Sequence, residues 1–403
     1  MTSQRPTAGA ALVYDPASYA LQEDPFPTYR RMQEEAPLHH DPGLGFWALT
    51  RFDDVLQGLG DHGSLSSAHG TLIEQIGGGE PPPDMMIFTD PPRHDALRKL
   101  VSRAFTPRRV ASLEVDIRAM CADWLDPVAE AGEGEIVADL AGKLPMAVIA
   151  RLLGAPAEDN VRLKDLSDRL LHRDEGSVAK PDDGSAAGVE LFGYFGDLIA
   201  QRRAHPAEDM MTDLIQAELP GPDGRPQRLD EIELVMFCLL LGVAGNETTS
   251  KLIATGTVVL ADFADERARL AAGRVPWGGA VEELLRFDPP SHYQGRVATR
   301  DLAWYGDTVP AGSTVLLVNG AANRDPREFH DPHRFIADRP IERHLAFGHG
   351  IHHCLGAALA RLETRVALEE LVRRFPTYEI DAARVERFHS SNVRGLSKVP
   401  FAR

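Results

Sequence analysis

The sequence predicts a mainly α-helical protein with a smaller β portion. Three observations point there. A long apolar stretch from Asp230 to about Phe263 opens on a helix-start signal. Helical patterns recur from Pro91 onward. Between Leu302 and Val318, turn signals cut the chain into short apolar runs of hairpin type.

The N-terminal part reads as mixed: Phe46–Thr50 suits a short strand and Phe52–Leu59 a helix after it. Apolar spacing then predicts helices over Arg93–Ala104, Val115–Ala129, Met146–Leu153, Val189–Ala204, Asp230–Phe263, Ala280–Phe287 and Leu355–Phe375. The helix from Asp230 is the best marked. Asp230 can cap it, Glu233 completes a capping box, and Leu229 with Leu234 occupies the positions of a hydrophobic staple. Its apolar pattern outruns the mean helix of about 11–12 residues. It is apolar nearly all round, so it should run through the centre of the fold. The hairpin turns are placed at Tyr305-Gly306-Asp307 and Pro310-Ala311-Gly312.

Nothing in the 403 residues reads as a dividing linker. The glycine- and proline-rich stretch Gly77–Pro83 and the polar stretch Ser177–Ser185 are both short, so we expect one domain spanning 1–403. A net charge of −17 argues against nonspecific nucleic-acid binding. The charge is uneven, however: Arg93 to Arg109 holds six lysines and arginines against one acid. Three widely spaced cysteines, Cys121, Cys238 and Cys354, fit a reducing compartment. No signal peptide or membrane anchor is read at the N-terminus, so a cytoplasmic protein is expected, with neither nucleic acid nor membrane as partner.

The chemistry concentrates in Phe347-Gly348-His349-Gly350-Ile351-His352-His353-Cys354-Leu355-Gly356, which leads into an apolar-periodic helix. A helix N-terminus supplies positive potential and amide donors, which favour a thiolate. Gly348 and Gly350 permit a tight loop whose amides can point at sulfur. Gly356 lets the backbone approach a flat ligand, and Phe347 can shield the sulfur. Other readings compete. A lone cysteine is commonly a small core residue. His349, His352, His353 and Cys354 could bind zinc, although their crowding is unlike spaced zinc pairs. A glycine-rich helix entry could bind phosphate, but no P-loop lysine follows.

As a whole the segment resembles the haem-binding signature of cytochromes P450 of the soluble bacterial type, Phe-x-x-Gly-x-x-x-Cys-x-Gly in outline. Phe347, Gly350, Cys354 and Gly356 meet it. The resemblance runs from about Asp24 to the C-terminus. It implies the P450 fold, with haem b (iron protoporphyrin IX) between the long central helix and the cysteine loop, and Cys354 as metal ligand. Ala244-Gly245-Asn246-Glu247-Thr248-Thr249 matches the family's oxygen-activation motif. By resemblance, Ala244 and Gly245 border the groove for dioxygen, Thr248 holds the activated oxygen, and Glu247 relays protons; the last two are the catalytic pair. Taken by itself, Thr248 is a helix threonine bonding back to the carbonyl of Ala244. His94 and Arg98, Arg296 and His352 match the family's donors to the haem propionates. Glu283 and Arg286 match its Glu-x-x-Arg pair, and Arg334 in Pro332-His333-Arg334-Phe335 is expected as third member.

The same resemblance places Leu72–Phe88, Ser177–Ser185, Leu241–Ala244, His292–Gln294 and Ser391–Val393 around the substrate pocket. It implies a monooxygenase that hydroxylates or epoxidises an apolar small molecule, fed with electrons by a separate ferredoxin and ferredoxin reductase. Arg93, Lys99, Arg103, Arg108 and Arg109 would steer that acidic partner. A peroxide-driven peroxygenase and a noncatalytic haem-binding protein stay open at this point, although Glu247 and Thr248 argue against the former.

Overall fold

The computed structural model describes residues 12–76, 85–102, 105–220 and 225–403. Helices make up most of it and the sheets are small, as the patterning predicts. The central helix spans Glu231–Asp262. Asp230 accepts from the Glu233 amide at 2.8 Å, and Glu233 accepts from the Asp230 amide at 2.9 Å, so the capping box forms. Leu229 and Leu234 are both buried beside it. Helices Leu144–Leu153, Asp182–Ala204 and Ala357–Arg374 pack around this element. It is the one described helix long and apolar enough to cross a membrane, and much of its apolar surface is buried inside the fold.

One five-stranded sheet runs in the order Leu38–Asp41, Phe46–Leu49, Thr314–Leu317, Gln294–Ala298, Leu65–Ser66. Phe46–Leu49 and Thr314–Leu317 are parallel, with Phe46 opposite Thr314 and Leu49 opposite Leu317. The two-residue alternation of strands sorts the side chains. Leu49, Val315 and Leu317 pack on Phe52, Val55 and Leu59, while Phe46, Ala48 and Leu316 face Tyr14, Tyr29 and Met32. Arg296 is paired in this sheet opposite Val315. The expected hairpin joins Leu302–Trp304 to Asp307–Val309. Tyr305 and Gly306 both have positive φ, 55° and 88°, which matches the twist of a two-residue hairpin loop.

Most predicted elements form, with shifted ends. The helix expected over Val189–Ala204 begins at Asp182, inside the stretch read as a polar break. Pro181 precedes it and Asp182 and Asp183 fill its first turn, a start that apolar spacing cannot register. The helix expected to reach Ala104 ends at Val101; Arg103 and Ala104 lie outside the described residues, as do Gly77–Asp84. Helices Phe26–Glu35, Asn160–Leu171 and Met210–Gln216 were not anticipated.

Glu283 and Arg286, fully buried on Trp277–Phe287, pair at 2.6 Å. Arg286 also donates to the carbonyls of Asn323 and Pro332, fastening the segment that leads toward Cys354. The expected third member is wrong. Arg339, with 7% of its side chain exposed, sits 3.0 Å from both Glu283 oxygens. The Arg334 side chain is 56% exposed, and only its carbonyl joins the cluster, accepting from Arg339 at 2.8 Å. A turn carries the chain past Arg334 and returns Arg339 to the carboxylate.

Removing one partner of a buried pair leaves the other uncompensated, at a cost of roughly 3–5 kcal/mol. Arg286→Ala and Arg339→Ala should therefore each lower thermal stability sharply and deplete cofactor-loaded protein. Arg334→Ala should stay within about 0.5 kcal/mol of wild type. Melting curves of the three variants check this, and a severe loss at Arg334 alone would restore the motif-based assignment.

Candidate functional site

A cavity of ≈ 790 Å³ lies between the central helix and the cysteine segment. Gly348 and Gly350 both adopt φ of +70°, which turns the chain sharply ahead of the helix. Gly350 has a second reason to be glycine: a Cβ there would lie 2.9 Å from the Leu59 carbonyl. The Cys354 amide donates to Phe347 O at 2.8 Å and closes the loop. The amides that reach the sulfur are those of Gly356 and Ala357, at the entry of Ala357–Arg374, rather than those of the glycine loop. Burial pushes the Cys354 thiol above its usual pKa; the Gly356 amide, Arg98, Arg361 and the Ala357 amide oppose it. Cys354 nevertheless shows surface, and it lines the cavity. A Cβ on Gly356 would meet nothing within 4 Å, so that face of the helix entry is open. Phe347 is half-buried beside the loop, with the Arg361 guanidinium 4.5 Å from its ring centroid.

The central helix forms the facing wall. Ala244 and Gly245 are exposed in the middle of this otherwise buried element, and both line the cavity. The Thr248 hydroxyl donates to Ala244 O at 2.8 Å, as helix geometry predicts. Glu247 is fully buried; it accepts from Asn246 at 2.8 Å and lies 3.2 Å from both Lys164 and Lys251. Burial pushes its carboxyl up to about 7, with Lys251 and Lys164 pulling the other way and Asp168 adding to the rise. Burial also raises Asp168, but its hydrogen bond with Glu247 and the charges of Lys251 and Lys164 prevail and hold it low. In this carboxyl pair the proton therefore belongs to Glu247. Lys164, Asp168 and Lys251 are functional candidates that sequence reading missed. Only the i,i+4 spacing of Glu247 with Lys251, and of Lys164 with Asp168, hinted at them.

At the cavity edge four donors converge. His94 is buried, and its ring centroid lies 4.4 Å from that of His352. The Nε2 atoms of both are buried without a partner among the described residues. Arg296 is buried and, among the described residues, donates only to the neighbouring Gly295 carbonyl, at 2.6 Å; burial lowers its pKa to about 10. Burial and the proximity of Arg296, His94 and Arg98 drive His352 down to about 3. Arg98 is half-buried and also lines the cavity. Burial is the largest cause at all four, neighbouring cations add to it at the two histidines, and Asp90 and Asp95 oppose it only in part. Asp95 reaches His94 at 3.2 Å but is itself largely exposed. No three His, Cys, Asp or Glu side chains among the described residues are grouped to hold a metal ion. His349, His352, His353 and Cys354 thus do not form a zinc set.

Most segments expected around the pocket contribute to it. Leu72 and Met85–Phe88 line it, as do Leu241, Val243, Ala244, Gln294, Asn392 and Val393. Ala179 and Lys180 represent the Ser177–Ser185 stretch. His292 does not take part; it is buried against Tyr29, 2.9 Å away, and Asp288. Ser391 instead holds Glu74, at 3.0 Å.

A family model described as Cytochrome P450 matches residues 279–398. A putative cytochrome P450 123 of Mycobacterium bovis is 42% identical over 397 residues, 97% of each chain. The cytochrome P450 monooxygenase PikC of Streptomyces venezuelae is 36% identical, across 94% of this chain and 90% of that one. The solved structure of the cytochrome P450 PksS from Bacillus subtilis 168 aligns with a TM-score of 0.86 at 32% identity, covering 97% of this chain and 99% of that one. With a cysteine facing an open cavity beneath the central helix, and likeness over nearly its whole length, the chain belongs to the cytochrome P450 family: it is a haem-thiolate monooxygenase that binds haem b.

Proposed function

We propose that the whole chain works as one domain that inserts an atom of dioxygen into an apolar small molecule, by hydroxylation or epoxidation. The observation that carries this reading is the placement of Cys354 across one cavity from Ala244, Gly245 and Thr248. In this reading Cys354 is the iron ligand, and Phe347 and the Gly356 and Ala357 amides stabilise its sulfur. The donor set fits haem. Among the described residues His94 Nε2 and His352 Nε2 have no hydrogen-bond partner and Arg296 bonds no carboxylate, and Gly356 leaves a face open. These three and Arg98 would hold the propionates. Bound haem supplies the one-electron and dioxygen chemistry.

The remaining work falls to the chain. The small residues Ala244 and Gly245 leave room beside the cavity, and the Thr248 hydroxyl stands at its wall. Glu247, its carboxyl pushed up to about 7, lies beside Thr248 along the wall, while Asp168, with 37% of its side chain exposed, reaches toward solvent. Protons can pass inward along this line while the bulk of the cavity stays apolar. One oxygen atom enters the substrate and the other leaves as water, consuming two electrons and two protons. A ferredoxin and its reductase would supply the electrons, in the cytoplasm. The basic segment supports this with fewer free charges than its composition implies. Arg93 contacts Glu233, Arg109 lies 3.5 Å from Asp213, and Lys99 and Arg108 are exposed without a described partner.

Three outcomes test this reading. Thr248→Ala should uncouple turnover: electron use continues while product falls and hydrogen peroxide rises. Unchanged coupling would remove Thr248 from proton delivery. Because the Glu247 pKa is raised to about 7, its protonated fraction falls as pH climbs through that value. Product formed per electron pair should therefore decline above about pH 7 in wild type, and Glu247→Gln should flatten that dependence. Reversing Lys99 and Arg108 to glutamate should slow ferredoxin-driven reduction, and added salt should slow the wild type, with dithionite reduction unchanged in both cases. Rates indifferent to charge and salt would place the docking face elsewhere.

A further inference from the structure

The cavity lining holds a second group of charges besides the haem donors. These are Glu74, Arg173 and Lys180, among walls supplied by Leu72, Leu170, Leu171 and Val393. Glu74 and Arg173 are already matched: Arg173 Nη2 donates to Glu74 at 2.8 Å, with Arg173 5% and Glu74 12% exposed. The rest of the Arg173 guanidinium is engaged as well. It donates to the carbonyls of Leu170, His172 and Val178 at 2.8–3.2 Å. Ser391 shares the same Glu74 oxygen. The pair is thus a neutral fastening of three segments at the pocket rim.

Lys180 is different. It has no hydrogen bond or ion pair among the described residues, and it is exposed where it lines the cavity. Gly184 makes room for its stem, since a Cβ there would lie 3.1 Å from Lys180 Cγ. Three carboxylates near it in sequence are engaged elsewhere, and Asp182 makes no ion pair with it among the described residues. Asp183 is held by Arg169 at 2.6 Å, Glu175 accepts from the Tyr19 amide, and Asp174 lies 3.5 Å from His172. Two cations and one carboxylate therefore make up this group, leaving one positive charge without a counterpart. Desolvation at the cavity wall and the neighbouring Arg173 depress the Lys180 pKa, with Glu74 opposing them.

Resting on the monooxygenase reading above, we propose that the substrate is an amphipathic carboxylate whose apolar body fills the cavity and whose carboxylate pairs with Lys180. Lys180 is then a specificity residue: it fixes one end of the chain and so determines which carbon reaches the haem. A single unmatched lysine calls for a singly charged anion. The apolar walls call for a long hydrocarbon body.

The test uses the haem-loaded full chain and three probes of one length: dodecanoate, methyl dodecanoate and dodecyltrimethylammonium, none of which offers an amine to the iron. Binding is read from the high-spin Soret shift and by equilibrium dialysis. Dodecanoate should bind about tenfold tighter than its ester, and the ammonium probe should bind weakest. Lys180→Met should erase the acid's advantage while leaving the ester's affinity unchanged, and Lys180→Arg should keep it. Three results would overturn the assignment: equal affinity for acid and ester in wild type, parallel loss of both in Lys180→Met, or no binding of any probe by protein with an intact thiolate spectrum. Absence of that spectrum in wild type would defeat the monooxygenase reading itself, and this proposal with it.

Discussion

A cluster of guanidinium and imidazole donors, gathered at one cavity edge with too few acceptors among the described residues, is the constraint on which the site depends. His94, Arg98, Arg296 and His352 come from a helix, a sheet strand and the cysteine loop, and meet at one cavity edge. Burial depresses all four, and neighbouring cations depress the two histidines further. A polypeptide folding for stability alone would place a carboxylate among them or leave them in water. Here Asp95 reaches His94 from an exposed position, and no carboxylate among the described residues bonds Arg296 or His352, so a dianionic cofactor would supply the missing charge. Cys354 poses the same problem with opposite sign. Its thiol, facing the cavity, is raised by desolvation, and iron would supply the positive charge that favours its ionised form.

The central helix resolves a related conflict. It must be apolar to form the core, yet it carries Asn246, Glu247 and Lys251 in its buried middle. Charges at such depth cost several kcal/mol each by order of magnitude unless paired. Here Lys164 and Asp168, from the neighbouring helix Asn160–Leu171, complete the pairing. Apolar residues of equal volume would stabilise the packing as well or better, and the retained polarity is what the proposed proton route requires. The Glu283–Arg286–Arg339 cluster is the contrasting case: also buried, but fully bonded to backbone carbonyls and amides. Its role is to hold the chain leading to Cys354.

Local chemistry was legible in the sequence, and pairings across the fold were not. The Asp230–Glu233 capping box, the Tyr305-Gly306 turn and the cysteine loop each depend on residues a few positions apart, and each appears where its spacing predicted. The start at Asp182 was hidden because its first two turns are polar or small and carry no apolar stripe. Arg339 was missed for another reason. A motif points to Arg334, but which arginine returns to Glu283 depends on a turn that residue identity does not display. Lys164 and Asp168 belong to a helix that the apolar pattern did not reveal. Their meeting with Glu247 joins residues about eighty positions apart in the chain. Lys180 lay inside a stretch correctly assigned to the pocket, but only the folded charge balance singles it out.

The central claim is that Cys354 supplies the thiolate that makes this cavity a P450 haem site. The visible spectrum of the reduced, carbon monoxide-bound protein tests it most directly, recorded on wild type and on Cys354→Ser loaded with haem. The account predicts the family's red-shifted Soret band in wild type and its loss in the variant, even where haem is retained through the propionate donors. A red-shifted band that survives in Cys354→Ser would contradict it.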